Sequence, residues 1–402
     1  MKFSLSWLKD YLETTASVDE ISKTLTKIGL EVEEVIDNAS ALKDFIVAEI
    51  KTVEQHPNAD RLHVLSVWTG KESLQIVCGA PNVRVGLKSV LALPGVVIPK
   101  FNERLEKGVI RGVESCGMMC AEDELCLGED HTGIIELAAD APVGASLVDV
   151  LKPDVVFDVN VTPNRGDCFG VNGIARDLAA AGLGRLKQTD AAPIAGSFKS
   201  PVSVTTQTPD CPLFTIRYIK GVKNVQSPEW LKQKLLSVGL RPISALVDIT
   251  NYFNIAEDHP LHVFDADKLT GNLVVRPAKD GEKLDALDEK VYTLDSSMIV
   301  VADDKGAQSI AGVMGGTPTG CDKNTVNVVL EAAYFAPMSI ATTSRKLNAE
   351  SDSKMRFERG VDAGSCVQVN HNATKMILDL CGGEASEIVI AGAVPNTART
   401  ID

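Results

Sequence analysis

The segment NYFNIAEDHPLHVFDADKL, residues 251–269, gathers side chains that can do chemistry. His259 and His262 flank a proline, and Asp265 and Asp267 follow. The chain has 6 histidines in all, so a pair this close calls for a chemical reading. Three readings fit. An imidazole near its ordinary pKa of about 6.5 can orient water or share a proton, with a carboxylate beside it. Two histidines and Asp265 make a partial metal set, but no further ligand stands at a convincing spacing, which weighs against a metallohydrolase. The third reading is a polar corner of a folded core. Just upstream, Thr250 and Asn251 in DITNY offer hydrogen-bonding groups, to a ligand or to local backbone. Glu331 ends the β-branched run TVNVVL, where a carboxylate is at least partly buried; the bland alternative is a solvated strand end. Gly315 and Gly316 in GVMGG lack a Cβ and permit a close backbone approach, or simply make a turn.

Neither GxxxxGK[ST] nor GxGxxG occurs, so nothing points to a phosphate loop or dinucleotide fold. The 9 cysteines are scattered and odd in number, which predicts reduced thiols. Cys116, Cys120, Cys126 and His131 form the densest group, without the second Cys pair that a structural zinc site needs. We therefore expect no metal.

These residues must be positioned by folded elements, and the 402-residue length suggests roughly two to four domains. Ser17-Val-Asp-Glu20 reads as a capping box ahead of Ile21, Leu25 and Ile28, with Gly29 as the stop. Residues 40–150 hold short β-like runs divided by Gly, Pro and Asn, the mark of a small barrel or sandwich. A strand and the helix VNGIARDLAAAGLG follow, then the linker QTDAAPIAGSFKSP. Beyond Pro201 the pattern is α+β, with a helix predicted after Ser227 as N-cap, and strands at TIRYIKGV, NLVVRPA, KVYTL, MIVVADD and TVNVVLEAAYF. No apolar run approaches the roughly 18 residues that span a bilayer. MKFSLSWLKDYLETT is broken by Lys9, Asp10 and Glu13, so no membrane partner and a cytoplasmic location are expected.

The net charge of −14 excludes a broad basic face. From Ser40 to Arg111 there are ten Lys/Arg and seven Asp/Glu, giving +3; from Gly112 to Val150 there are nine Asp/Glu and no Lys/Arg, giving −9. Lys51, Arg61, Arg84, Lys88 and Arg111 are the candidates to reach phosphate.

Six motifs in order resemble the β chain of bacterial phenylalanine–tRNA ligase. They are HPNADRLHVLSV with IVCGAPNVRVG, GVESCGMMCAEDELCLGEDHTGI, VTPNRGDCFGVNGIARDLAA, RPISALVDITNYF with HPLHVFDADKL, AGVMGG, and SRKLNAESDSKMRFERGVD. The resemblance implies a multidomain α+β chain. A helical module, 1–39 plus 151–190, would be interrupted by an OB-fold β-barrel at 40–150 with tRNA-binding character. A linker at 191–200 would lead to an α+β editing module at 201–402. It further implies an N-terminal half of the family's chain, tRNA(Phe) and the α subunit as partners, and a complete enzyme of two α and two β chains. ATP and Mg2+ would serve that complete enzyme at a synthetic site on the α chain, with no cofactor in this segment.

Carried over residue by residue, His262, Thr250 and Asn251 would be catalytic. Glu331 would read a tyrosine hydroxyl, and Gly315, Gly316, Ser351 and Ser353 would line the substrate. The expected activity is hydrolysis of mischarged tyrosyl-tRNA(Phe). Where the family usually has TDASHRFERGVD, this chain has SDSKMRFERGVD, so Ser353 replaces alanine at the pocket rim. The alternative is a noncatalytic tRNA-binding or assembly module with a degenerate pocket.

Overall fold

A computed structural model of the chain describes residues 1–128, 130–189 and 192–396. The expected boundary at 190/191 and the last residues, 397–402, lie outside the described residues. The chain divides into two compact units, one of Met1–Val35 with Val156–Asp402 and one of Ile36–Val155.

The smaller unit is built on a five-stranded antiparallel sheet. Its order is Met118–Met119, Lys88–Ala92, Ile46–Gln55, His63–Trp68, Ser73–Cys78. The sheet curls until its outer strands are bridged: the Cys116 amide donates to the Gln75 carbonyl at 2.9 Å and the Val77 amide to the Ser115 hydroxyl at 3.1 Å. Gly117 permits this closure, since a Cβ there would stand 2.7 Å from the Ala92 carbonyl oxygen. Ile50, Leu65, Val67, Ile76 and Leu91 fill the interior. Alternate residues of each short run point inward, as period-2 patterning requires.

In the larger unit the capping box forms as read: Ser17 and Glu20 satisfy each other's backbone amides, and Ile21 and Leu25 are buried on the helix Val18–Lys27. The segment after the linker makes two larger sheets and a two-stranded one, Lys283–Asp285 with Val291–Thr293. A four-stranded antiparallel sheet runs Leu261–Asp265, Asn327–Tyr334, Leu213–Lys220, Glu384–Gly392. A five-stranded sheet holds Val204–Thr206, Leu273–Pro277, Ile299–Asp303, Gly306–Ile310 and Met314–Gly315. Between them lies one apolar core that includes Phe214, Ile216, Phe264, Val329, Ala333, Val275, Val301 and Ile310. The other face of the four-stranded sheet is covered by the helix Cys366–Cys381.

One helix start differs from its sequence reading. The helix Glu229–Ser237 has Pro228 as its N-cap, with no side-chain cap. The Ser227 hydroxyl instead donates to the buried Asp248 carboxylate at 2.5 Å. A buried carboxylate outcompetes a solvent-facing helix end for that hydroxyl, because leaving it unpaired costs more.

Candidate active site

Strand register does the first work. His262 lies directly opposite Glu331 in the antiparallel pair, and Ile216 faces Glu331 from the other side. On its strand Glu331 shares parity with Val329 and Ala333, two core residues, so its carboxylate points into the space between the sheets. His262 likewise shares parity with Phe264, against which its ring sits edge-on at 4.3 Å between centroids. A carboxylate on the apolar face of a central strand is costly. Glu331 is 7% exposed, its Oε2 has no hydrogen-bond partner, and burial pushes its pKa up to about 8. His262 is half-buried as a residue, but its Nε2 is sealed from solvent and unpartnered, and burial pulls its pKa down to about 4. Burial thus favours the uncharged form of both groups.

Both residues line a small cleft of about 60 Å3, well below the roughly 300–1,000 Å3 of small-ligand sites. Its lining takes Leu261 and His262 from one strand with Pro260 just before it, Glu331 from the next, Ser309, Ile310, Met314 and Gly315 from the facing sheet with Gly312 and Val313 from the turn between, and Ser353 and Phe357 from the helix Asp352–Arg359. Ser353 and Phe357 are four apart and so share one helix face. Gly312 has φ of +67°, and a Cβ on it would meet Ile340, Phe335 and Phe357 side chains at 2.9 to 3.1 Å. A Cβ on Gly315 would come within 2.7 Å of His262 Cε1. The glycines of GVMGG thus make room for the pocket's own walls.

The sequence-predicted residues separate here. His262, Glu331, Gly315 and Ser353 meet at the cleft. Gly316 lies next to it: its amide donates to the Gln308 carbonyl at 2.9 Å, and a Cβ would stand 2.5 Å from that oxygen. Thr250 and Asn251 sit on the helix Ala245–Ala256, which packs against the His262 strand, but neither lines the cleft. The Thr250 hydroxyl donates to the Val247 carbonyl at 2.7 Å, the local backbone bond that its residue type allows. Ser351 caps the helix that carries Ser353, accepting from the Lys354 amide at 3.0 Å and donating to the Val313 carbonyl at 2.7 Å. It therefore pins that helix to the facing wall. Ser309, Ile310, Val313, Met314 and Phe357 escaped sequence reasoning. Ser309 becomes legible only once the hairpin register sets it opposite Gly315.

Other polar residues of the opening segment are partly satisfied, though His259 Nε2 and Asn254 Oδ1 are, like His262 Nε2, buried without a hydrogen-bond partner. His259 is fully buried, with Nδ1 3.2 Å from the Ser365 hydroxyl, and burial lowers its pKa to about 4. Asp265 accepts from the Thr325 hydroxyl at 2.7 Å and the Asp267 amide at 3.1 Å, while Asp267 accepts from Asn327. His262 and Asp265 have opposite parity on one strand, so they face opposite ways. Among the described residues the one cluster with metal-like spacing is Asp167, Cys168 and Asp177, whose carboxylates already engage Arg165 and Arg176. All nine cysteines are unpaired.

On the smaller unit, the five candidate cations divide as well. Arg84 makes a two-pronged pair with Glu136 at 2.6 and 2.7 Å, Lys51 pairs with Glu49 at 2.8 Å, and Lys88 donates to the Ala141 carbonyl at 2.7 Å. Arg61 and Arg111 are exposed and make no ion pair among the described residues. The Asn58 amide side chain, donating to the Arg111 carbonyl at 3.1 Å, joins the loop of Arg61 to the hairpin of Arg111.

Residues 210–382 match the model of the B3/4 domain, and residues 45–146 that of a putative tRNA binding domain. The chain is 54% identical over 407 residues to the phenylalanine–tRNA ligase beta subunit of Rhodospirillum rubrum, covering 100% of this chain and 51% of that relative. The chain belongs to the phenylalanine–tRNA ligase beta-subunit family. Its identity to the beta subunit of Ruegeria pomeroyi is 54% over 408 residues, covering 99% and 51%. It thus spans about half the length of the curated family members it matches. A solved N-terminal fragment of the phenylalanyl-tRNA synthetase beta-subunit from Pyrococcus horikoshii is 16% identical, covers 49% of this chain and 62% of that one, and has a TM-score of 0.28. Among the described residues no helix is long and apolar enough to cross a membrane.

Proposed function

We propose that the cleft is a proofreading site that hydrolyses tyrosyl-tRNA(Phe). The observation that carries this reading is Glu331: a carboxyl group on a sheet's apolar face, lining a cleft, with an oxygen that nothing among the described residues pairs. Such a group costs stability unless a ligand completes it. A tyrosine hydroxyl would do so. Phenylalanine would leave it unpaired, a penalty of about 1–3 kcal/mol or roughly ten- to a hundredfold. An apolar synthetic pocket discriminates poorly against an added hydroxyl, so the second site supplies what the first lacks.

In this mechanism the cleft widens to admit the tyrosyl ring between Ser353 and Phe357 on one side and 312–315 on the other. Glu331 reads the phenol. A turn of the neutral His262 ring that brings Nε2 out of its sealed position holds a water against the ester carbonyl. Attack of the water oxygen on the acyl carbon forms the new C–O bond, the bond to the ribose oxygen breaks, and that departing oxygen takes the water's proton to become a hydroxyl; a neighbouring ribose hydroxyl of the substrate assists. Thr250 and Asn251, on the adjacent helix, act on the tRNA 3′ end or through the His262 strand.

We further read residues 40–150 as an OB-fold, 1–39 with 151–190 as a helical module, and 201–402 as the editing module. The bridged five-stranded sheet supports the first of these. Partners in this reading are tRNA(Phe) and the α subunit of a cytoplasmic enzyme of two α and two β chains. That enzyme's ATP and Mg2+ belong to its synthetic site.

The test is deacylation of tyrosyl-tRNA(Phe) by the wild-type chain, E331A and H262A. Each variant is expected to lose at least about tenfold in kcat/KM. Wild-type rates in both would remove the assignment.

A further inference from the structure

The burial of Glu331 among apolar neighbours bears on what the cleft accepts. Among the described residues no cation stands near enough to hold this carboxyl as an anion. Its strand neighbours on the same face are Val329 and Ala333, and Ile216 faces it from one adjoining strand. His262, on the other adjoining strand, is neutral, and Cys211, at the head of the Ile216 strand, is kept a thiol by burial. The facing wall contributes Ser309, Ile310 and the 312–315 turn, none of them ionisable. On the helix that carries Ser353 the charged heads turn elsewhere: Lys354 to Glu350 and Glu358, Arg359 to Glu358, and Arg356 to Asp258 and the Phe169 carbonyl.

We propose that Glu331 works as an un-ionised carboxylic acid, so that the cleft offers its ligand an O–H donor as well as an oxygen acceptor and selects uncharged hydrogen-bonding ring substituents. The class of substrate follows from that chemistry. A phenol or an aromatic amine both donates and accepts and is taken; a ring bearing a negative charge is refused, since it would bring an unpaired anion into the apolar space between the sheets. The rise of the Glu331 pKa to about 8, caused by burial alone, agrees with this geometry. The substrate half of the inference rests on the proofreading reading; the protonation half does not.

Two arms separate them. In the first, infrared spectra of the wild-type chain, titrated from pH 6 to 9, are compared with those of E331Q. An un-ionised carboxyl band at pH 7 that vanishes on alkaline titration and is absent from E331Q is the expected result. A Glu331 already ionised at pH 7 overturns the proposal, and the wild-type titration alone decides this if E331Q folds poorly. In the second, hydrolysis of tyrosyl-tRNA(Phe) is measured for wild type, E331Q and E331A. The amide keeps a donor and an acceptor without charge, so E331Q is expected within about fivefold of wild type while E331A loses about fiftyfold. Equal losses in E331Q and E331A overturn the proposal. An inactive wild type overturns the proofreading reading instead and leaves the infrared result standing.

Discussion

The cleft of the larger unit and the cationic surface of the smaller one treat polar groups in opposite ways. At the cleft, Glu331 and His262 are walled in by strands and leave Oε2 and Nε2 without partners. On the smaller unit, Arg84, Lys51 and Lys88 have exposed or half-exposed heads, and the protein itself supplies their partners. Exposed pairs of that kind contribute little and are readily exchanged for water. A buried unpaired group is a standing cost that every folded molecule carries. Under the proposed reading, the difference marks the cleft as the place where a ligand would recover free energy that the folded chain leaves unspent.

The largest effect that tests this contrast is the pH dependence of stability. With the Glu331 pKa raised from 4.5 to about 8, the folded state retains a proton that the unfolded chain releases, so stability falls as pH rises through that window. The difference in unfolding free energy between E331Q and wild type is expected to grow by about 3 kcal/mol from pH 4.5 to pH 7, read from urea unfolding. A constant difference would show that the carboxyl is not desolvated. Next comes His259, with its pKa lowered from 6.5 to about 4. Its contribution is present above 6.5 and lost as pH falls toward 4, so H259Q is expected to lose about 2 kcal/mol less than wild type between pH 7 and pH 5. Third, G315A places a methyl against His262 Cε1 and Leu287 Cδ1, at 2.7 and 2.9 Å. Both are side-chain atoms that can yield, so the cost is about 1 kcal/mol, with a larger drop in tyrosyl-ester hydrolysis than in melting temperature. The smallest effects belong to the surface. R61A and R111A are each expected to reduce the salt slope of tRNA binding by about one, while R84A leaves it unchanged because Glu136 already occupies that guanidinium. A uniform response of all three would erase the distinction between the regions.

Much of this was legible in the chain, and the omissions have physical causes. The capping box at Ser17 and Glu20 involves residues three apart, so local sequence was sufficient. The strands around Glu331 announced themselves through β-branched residues. What spacing could not convey was which face a residue takes once paired: Glu331 read as a strand end but sits within an eight-residue strand, opposite His262. The hydroxyls misled most. Ser227 and Ser351 have identical chemistry, yet one serves Asp248 and the other caps a helix, because long-range carboxylates and carbonyls decide the competition. Thr250 and Asn251 came from family resemblance, and their helix stands beside the cleft without lining it.

The pairing of His262 with Glu331 also bears on how such a site is inherited. The two meet only because two strands keep an exact antiparallel register across five residue pairs. A substitution at either position changes one group and leaves the frame to receive it back. A single-residue insertion or deletion within either strand would turn the whole row over, sending the histidine or the acid to the helix-covered face in one step. Lineages carrying this cleft should therefore vary in the loops before and after these strands, while the count of residues within them stays fixed.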